Sequence, residues 1–240
     1  MIIHLLNPNS TASMTEKARE AAVAVAAPGT RIIAANPAGT PVSIEGYADE
    51  AMALPAMLTA IRRAEADGVN AHVIACFDDP GLKAAREIAS GPVIGICQAA
   101  VQVAMTISAR FSVVTTLPRS VPIIEDLIVE YGASHCCRRV RAADLPVLAL
   151  EDDGAHAADL IAAEIDAARD NDRAEAVILG CAGMADLAAQ LQLRCGLPVI
   201  DGVVAAVKLA EAMAGGGFAT SKIGAYALPR VKPGSVLLAG

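Results

Sequence analysis

The sequence predicts an α/β fold of two pseudo-symmetric half-domains, each a four-stranded parallel sheet flanked by helices. Three observations support this prediction: an aliphatic composition, eight short apolar runs separated by helical patterns, and an internal duplication. The chain of 240 residues is 55% hydrophobic but only 2% aromatic, so its core consists of Ala, Val, Ile and Leu. Parallel sheets covered by Ala-rich helices have this composition.

The first four apolar runs predict the strands of one half. They cover residues 2–6, 31–35, 73–76 and 93–96, and each is short enough to be a buried strand. Ala-rich patterns between them predict helices. Ser10 or Thr11 is suited to cap the first helix, and the AAPG stretch at residues 26–29 ends it.

The next four apolar runs predict the strands of the other half, at residues 111–116, 146–150, 177–180 and 199–200. The two halves also match in sequence. HVIACFDDPGLKAA from His72 aligns with VILGCAGMADLAAQ from Val177 at an offset of 105, which places Cys76 on Cys181. GPVIG at 91–95 matches LPVID at 197–201, and AAV at 99–101 matches AAV at 205–207, both at an offset of 106.

Chance is the alternative explanation of these matches, because two units built from one Ala-rich alphabet agree at several positions. The nearly constant register of the matches favours a duplication instead. NPNS at 7–10 also matches LPRS at 117–120, each directly after an apolar run. We therefore predict a first half-domain of residues 1–97 plus 205–240 and a second of residues 98–204, with the active site in the cleft between them.

Both aligned cysteines are predicted to lie at the carboxyl ends of strands, where ligands bind in parallel sheets. A thiol on each side of a small molecule suits a two-base proton transfer, in which one thiolate removes a proton from a carbon acid and the opposite thiol delivers one. The turns at residues 77–79, which include Phe77, and 182–184 offer backbone N–H donors to the developing charge. Gly183 would let a ligand approach closely. This chemistry inverts a stereocentre and requires no cofactor.

A thiol must ionise to act as a base. Asp79 followed by Pro80 is typical of a helix N-cap and first helical position, so we expect the helix N-terminus to lower the pKa of the Cys76 thiol. Asp78 opposes that ionisation. Its side chain is expected to point either to solvent or to a substrate N–H.

Charge and cysteine usage exclude several classes of function. The net charge is −7 and the basic residues are scattered, so a nucleic-acid partner is not expected. No segment is long and apolar enough for a signal peptide or a membrane span, which predicts a cytoplasmic protein and no membrane partner. Its six cysteines are then expected to be free thiols. Neither the cysteine nor the histidine spacing matches a common metal site, so no metal is expected.

Several motifs occur in an order that resembles the hydantoin racemases, with the allantoin racemases close by, within the aspartate/glutamate racemase superfamily. These motifs are LNPNST (6–11), ACFDDPGL (75–82), VVTTLPRS (113–120), LPVLALEDDG (145–154), LGCAGMA (179–185) and LPVIDGVVAAVK (197–208). The resemblance implies a cofactor-independent racemase of 5-monosubstituted hydantoins or a similar ring, usually a homo-oligomer. It makes Cys76 and Cys181 the acid/base pair. The positions it implies for substrate binding are Asn9, Thr115, Thr116, Arg119 and Gly183, to which Phe77 is added from the donor turn.

The sequence departs from the family pattern at two places. Relatives commonly have a small residue where this chain has Asp78, and a Gly-Glu pair where it has Cys97 and Gln98. Both departures are expected near the cleft. They leave open whether the ring substituent is apolar or a ureido group, as in allantoin.

Each candidate also has a structural interpretation. Cys97, Cys136, Cys137 and Cys195 are interpreted as packing residues. Asn9 could fix the turn after the first strand, Thr115 and Thr116 could be ordinary strand residues, and Arg119 could be a surface charge.

Three classes of function remain: a racemase of hydantoins, allantoin or amino acids, a decarboxylase or isomerase that needs only one thiol, and a two-lobed binding protein. A cysteine on each side of the cleft is the feature that distinguishes the first class. A binding protein has no need of paired thiols, and the absence of an export signal argues against the periplasmic kind.

Overall fold

The computed structural model describes residues 1–152, 154–230 and 232, and it contains two four-stranded sheets in which every strand pair is parallel. The first sheet, in the order β2-β1-β3-β4, consists of β1 (Ile2–Leu6), β2 (Arg31–Ala35), β3 (Ala71–Ile74) and β4 (Val93–Gly95). The second, in the order β6-β5-β7-β8, consists of β5 (Phe111–Thr115), β6 (Cys137–Ala142), β7 (Ala176–Leu179) and β8 (Val199–Asp201). The two orders are identical, which confirms the predicted fold class.

Helices connect the strands. They are α1 (Ala12–Val25), α2 (Tyr47–Ala66), α3 (Leu82–Ile88), α4 (Ile96–Ile107), α5 (Val121–Glu130), α6 (Ala149–Asp152), α7 (Gly154–Asp172), α8 (Ala188–Cys195) and α9 (Gly202–Gly215). Short 3₁₀ turns occur at Pro118–Ser120, Ala182–Leu187 and Gly224–Tyr226.

Helices cover both faces of each sheet, so the strands bury side chains on both faces. In β3, Val73 packs toward the central helices while Ile74 packs toward α2 and α3, as the alternation of strand side chains requires. In β7, Ile178 and Leu179 divide in the same way between the central core and the layer formed by α7 and α8. The central core is continuous between the two sheets and fixes their separation.

Helices α4 and α9 cross at the centre of the molecule and tie the halves together. Helix α9 packs against β3, and α4 packs against β7. The crossing is close, because a Cβ atom at Gly202 would lie 2.9 Å from the carbonyl oxygen of Ile96. The division into residues 1–97 plus 205–240 and 98–204 stays a prediction, and residues 231 and 233–240 of it lie outside the described residues.

One strand prediction is wrong. Residues 146–150 do not form a strand: they lead into α6, and the strand that was not predicted in the second half is β6. Strand β6 lies at the edge of its sheet, and Val140 is its only buried residue, so no apolar run marks it. The apolar run at 146–150 exists because Val147 and Leu150 are buried in the second half.

The start of α1 also differs from its prediction. Thr11 is the N-cap residue, but its side chain makes no cap hydrogen bond. The Thr11 hydroxyl instead donates to the carbonyl of Val42 at 2.6 Å, and the Ser10 hydroxyl donates to the carbonyl of Pro41 at 3.3 Å. Both residues therefore anchor the loop that precedes α2.

No described helix is both long and apolar enough to span a bilayer.

A buried histidine pair links β1 to β3. His4 Nδ1 and His72 Nδ1 are 3.1 Å apart, and His72 Nε2 lies 2.9 Å from a carboxylate oxygen of Glu65 on α2. Because a carboxylate only accepts, His72 donates to Glu65 through Nε2, and in the neutral pair its Nδ1 accepts from His4. Burial lowers the pKa of His4 to about 4, and the neighbouring His72 adds to that effect.

This pair makes the stability of the fold depend on pH. His4 has a lower pKa in the folded chain than in the unfolded chain, so its contribution is complete above pH 6.5 and is lost as the pH falls toward 4. Between pH 7 and 5, we expect the wild type to lose about 2 kcal/mol more unfolding free energy than His4→Asn. The Asn side chain can still donate to His72 but does not titrate. Urea denaturation of both proteins measures the difference, and parallel pH profiles would contradict the assignment.

Candidate active site

A small cavity lies between the carboxyl edges of the two sheets. Its lining includes both candidate cysteines and residues from both halves: Asn9, Met14, Ile44, Ala75, Cys76, Phe77, Asp78, Thr115, Thr116, Ser120, Val147, Gly180, Cys181 and Ala182. Six of the eight residues predicted for the site are among them. The fold therefore brings together residues that are more than 100 positions apart in the chain.

The duplication places the two thiols at equivalent points. Cys76 follows the end of β3 by two residues, and Cys181 follows the end of β7 by two residues. In each half, the backbone N–H two residues further on opposes the rise in the thiol pKa: that of Asp78 acts on Cys76, and that of Gly183 acts on Cys181. Asp78 and Gly183 are themselves equivalent in the repeat. Two of the predicted N–H donors thus act on the thiols themselves.

Burial dominates the ionisation of both thiols. It raises the pKa of Cys76 well above its ordinary value, and the Asp78 carboxylate adds to the increase. It also raises the pKa of Cys181, to about 11, against the opposing effects of the Gly183 N–H and of Lys17. The predicted lowering of the Cys76 pKa by a helix is wrong, because α3 starts only at Leu82 and the intervening turn keeps the thiol away from that helix.

Asp79 is not the cap of the helix that follows it. Its backbone is left-handed, with φ of 45°, and its carboxylate turns back to the N-terminus of α4. There it accepts from the N–H groups of Cys97 at 3.1 Å and Gln98 at 2.9 Å, and from the hydroxyl of Tyr131 at 2.7 Å. Since Tyr131 belongs to the second half, Asp79 ties the turn that carries Cys76 to both halves.

The second half caps the equivalent helix differently. Asp201, at the end of β8, accepts from the N–H of Val204 at 2.7 Å and so caps α9 directly. In the repeat, Asp201 corresponds to Gly95. A Cβ atom at Gly95 would lie 2.3 Å from the Asp79 carboxylate, so the first half needs glycine there to admit a carboxylate from another loop.

The remaining predicted residues in the cavity are Asn9, Phe77, Thr115 and Thr116. Asn9 Oδ1 accepts from Asn7 and from the backbone N–H of Thr11, which leaves its amide nitrogen at 3.7 Å from the sulfur of Met14. The Thr115 hydroxyl donates to the carbonyl of Gly180 at 3.0 Å. The Thr116 hydroxyl has no hydrogen-bond partner among the described side chains, and it is therefore available to a ligand.

Three predicted positions lie outside the lining. Arg119 is exposed and its guanidinium packs over Gly46, while Gly183 lies behind Cys181. Gln98, expected near the cleft, instead accepts from Arg86 beside a different cavity. The binding roles of Arg119 and Gly183 stay predictions.

Several residues that line the cavity were not predicted from the sequence: Met14, Ile44, Ser120, Val147 and Gly180. Ser120 is the last residue of the LPRS motif, so the NPNS repeat contained a signal for it. Ile44 and Val147 come from loops, and no local pattern marks them. Gly180 is required by close strand packing, because a Cβ atom there would lie 2.9 Å from the Cβ atom of Thr115.

Two carboxyl groups shape the electrostatics of this cavity. Burial, Glu50 and Asp79 together raise the pKa of Asp78 to about 7. Burial also raises the pKa of Glu50, whose Oε1 is buried with no hydrogen-bond partner. Within the described ranges, no group of three His, Cys, Asp or Glu side chains is arranged to hold a metal ion.

Comparison with known proteins gives consistent results. The sequence model of the Asp/Glu/Hydantoin racemase family matches residues 3–210. A hydantoin racemase of Rhizobium meliloti is 66% identical over 232 residues, which cover 97% of this chain and 96% of that protein.

Two solved structures share the whole fold. The allantoin racemase from Klebsiella pneumoniae superposes with a TM-score of 0.95 at 49% identity, covering 97% of this chain and 95% of that one. The allantoin racemase from Pseudomonas fluorescens superposes with a TM-score of 0.92 at 40% identity, covering 97% and 98%.

The raised thiol pKa values lead to a testable reactivity. Below its pKa, a thiol gains tenfold in thiolate for each pH unit, so alkylation of Cys76 and Cys181 by iodoacetamide should accelerate about tenfold per unit from pH 7 to 9. Peptide mass spectrometry follows each site, with glutathione as the reference thiol. A rate that levels off below pH 9 at either cysteine would contradict the effect of burial.

Proposed function

The chain belongs to the Asp/Glu/hydantoin racemase family and is a racemase, and from this premise we propose that it interconverts the enantiomers of 5-monosubstituted hydantoins. One observation carries the proposal: Cys76 and Cys181 occupy equivalent points of a duplicated fold and line a single cavity. The hydantoin ring suits this site because its C5–H is flanked by a carbonyl that can hold negative charge as an enolate.

In the proposed reaction, the thiolate of one cysteine removes the C5 proton and becomes a thiol. The electron pair of the C–H bond moves into the ring, where the C4 carbonyl holds it as an enolate. The thiol of the opposite cysteine then delivers its proton to the other face of C5 and becomes the thiolate. The substrate leaves as its mirror image, and the two cysteines have exchanged protonation states.

The buried surroundings of the thiols serve this reaction. A thiolate with a raised pKa is a stronger base toward carbon, although a smaller fraction of it is present at neutral pH. The N–H groups of Asp78 and Gly183 stabilise the thiolate in the same way in each half. This equivalence supports a role for either cysteine as the base, according to the enantiomer bound.

Polar groups in the cavity are positioned to hold the ring. The Asn9 amide and the Thr116 hydroxyl can donate to a ring carbonyl, because the other polar atom of Asn9 is already occupied in the turn and the hydroxyl has no side-chain partner in the described structure. We assign the C4 oxygen to these two donors.

Substrate entry requires the cavity to widen. Its volume is about 30 Å³, which is the space of about one water molecule, whereas a hydantoin ring with its two oxygens has seven heavy atoms. The strand ends are fixed by the sheets, so the loops that carry Ile44 and Val147 are the parts of the lining that we expect to move.

Allantoin is a second candidate substrate. It is itself a hydantoin, with a ureido group at C5, and two solved structures that share the whole fold are allantoin racemases. The same two thiols would act at the same carbon.

The proposal includes how and where the enzyme works. The two thiols and the ring carbonyl supply all of the proton chemistry, so we propose that it needs no cofactor. All six cysteines are free, which fits a reducing cytoplasm. We also propose a homo-oligomer, since Phe218, Ile223 and Leu228 expose 60%, 86% and 64% of their surface along one segment after α9.

Racemisation in heavy water tests the proposal. One enantiomer of a 5-substituted hydantoin is followed by optical rotation and by NMR loss of the C5 proton, over a panel that includes allantoin. We expect the wild type to lose rotation and to incorporate deuterium. No change with any member of the panel would contradict the function.

Single variants test the two-base mechanism in the same assay. Cys76→Ser and Cys181→Ser should each lower racemisation by at least about 10²-fold, because a hydroxyl is a poor acid and base at neutral pH. Each should retain at most deuterium exchange from the enantiomer whose C5–H faces the remaining thiol. Cys136→Ser, which changes a cysteine outside the cavity, is the control. If only one of the two cysteines proves essential for racemisation, a one-base mechanism replaces the two-base mechanism.

A further inference from the structure

The Asp78 carboxyl group is an unpaired acceptor on the wall of the cavity. Its residue is only 9% exposed, and its side chain makes no hydrogen bond or ion pair within residues 1–152, 154–230 and 232. A buried carboxylate without a partner is costly, whereas one that receives a hydrogen bond from a ligand is stabilised. The Asp78 oxygens are not among the fully buried unpartnered atoms of the described chain, so they remain open to a donor that arrives with the substrate.

The position of this carboxyl relates it to the reacting carbon. Asp78 follows Cys76 by two residues in the same turn, after the end of β3. Asp78 lines the same cavity as both cysteines, and its carboxylate raises the pKa of both thiols. A carbon held between the two thiols would thus have Asp78 at its side.

Asp78 also breaks the symmetry of the duplicated site. Its equivalent in the second half is Gly183, which has no side chain. The ring of a hydantoin is likewise unsymmetrical about C5, with the N1–H donor on one side and the C4 carbonyl acceptor on the other. Two equivalent thiols cannot distinguish these sides, but a single carboxylate can.

We propose that the Asp78 carboxylate accepts a hydrogen bond from the ring N1–H and thereby selects unsubstituted N1 in the substrate and fixes C5 between the two sulfurs. This inference rests on the proposed function. The C4 oxygen then points toward the Asn9 and Thr116 donors, so the ring presents either face of C5 to a thiol without changing its own plane.

Glu50 is a second carboxyl group that acts on Asp78. It belongs to the first turn of α2 and does not line the cavity, yet it raises the pKa of Asp78. Its carboxyl group therefore lies near Asp78 without contact to the ring. Glu50→Gln is the matched control, since it removes a neighbouring carboxylate but leaves the proposed acceptor in place.

The test compares 5-benzylhydantoin with its 1-methyl and 3-methyl derivatives. Methylation at N1 removes the proposed donor, so wild-type kcat/KM should fall about 10- to 100-fold for the 1-methyl compound relative to the 3-methyl compound. In Asp78→Ala, kcat/KM for the parent should fall by a similar factor, and the preference for the 3-methyl over the 1-methyl compound should shrink to less than about threefold. Glu50→Gln should keep the wild-type preference.

Asp78→Asn provides a second measurement that does not depend on truncation. Its amide oxygen can still accept from N1–H, so it should recover part of the discrimination lost in Asp78→Ala. Circular dichroism and thermal unfolding verify that each variant is folded.

The possible results separate the inference from the proposed function. If the wild type racemises the parent but does not prefer the 3-methyl over the 1-methyl compound, or if Asp78→Ala keeps that preference, the assignment of Asp78 is wrong while the racemase function stands. If Asp78→Ala instead loses only hydantoins with a ureido or ammonium substituent, Asp78 faces the substituent and the inference is overturned. A wild type that racemises none of the three compounds and no other member of the panel, allantoin included, overturns both.

Discussion

Parallel strands bring all of their carboxyl ends to one edge of a sheet, and this constraint places the chemical groups of the site. In each half, the strand at the same position of an identical order ends two residues before a cysteine. Because the two carboxyl edges face one cavity, a sequence pattern repeated once along the chain brings one thiol from each half into that cavity. The carboxyl ends of β1 and β5 follow the same rule and contribute Asn9, Thr115 and Thr116.

The two halves solve one local problem in different ways. The helix after the fourth strand of each sheet has free N–H groups at its start and accepts a carboxylate there. In the second half this carboxylate is that of Asp201, at the end of the strand itself. In the first half it is that of Asp79, which lies in the turn after Cys76 and occupies the space that a side chain at position 95 would need. The second solution also recruits Tyr131, so the turn that carries Cys76 is fixed by contacts with α4 and with the second half. The helix N-termini thus stabilise carboxylates, whereas burial sets the pKa values of the thiols.

Those surroundings set the character of the site. Both thiols have raised pKa values because protein surrounds them on most sides, and the Asp78 carboxylate adds to the effect at each of them. In such a site only a small fraction of each thiol is ionised, but the thiolate is a strong base. This combination suits removal of a proton from carbon better than nucleophilic attack by a stable thiolate. The duplicated scaffold makes the two thiols alike, and Asp78 is the charged group in which the two cavity walls differ.

The sequence by itself determined the fold class, seven of the eight strands to within two residues at each end, and the pairing of Cys76 with Cys181. These features depend on local apolar runs and on a repeat, both of which are written along the chain. Tertiary structure alone decided where β6 lies, because an edge strand with one buried residue has no apolar run. It also decided the role of Asp79, whose partners Cys97 and Tyr131 lie 18 and 52 positions away, and the direction of the thiol pKa shifts. Capping of α4 by a residue distant in sequence and burial of the two thiols both depend on which surfaces meet in the folded chain. No local sequence pattern contains that information.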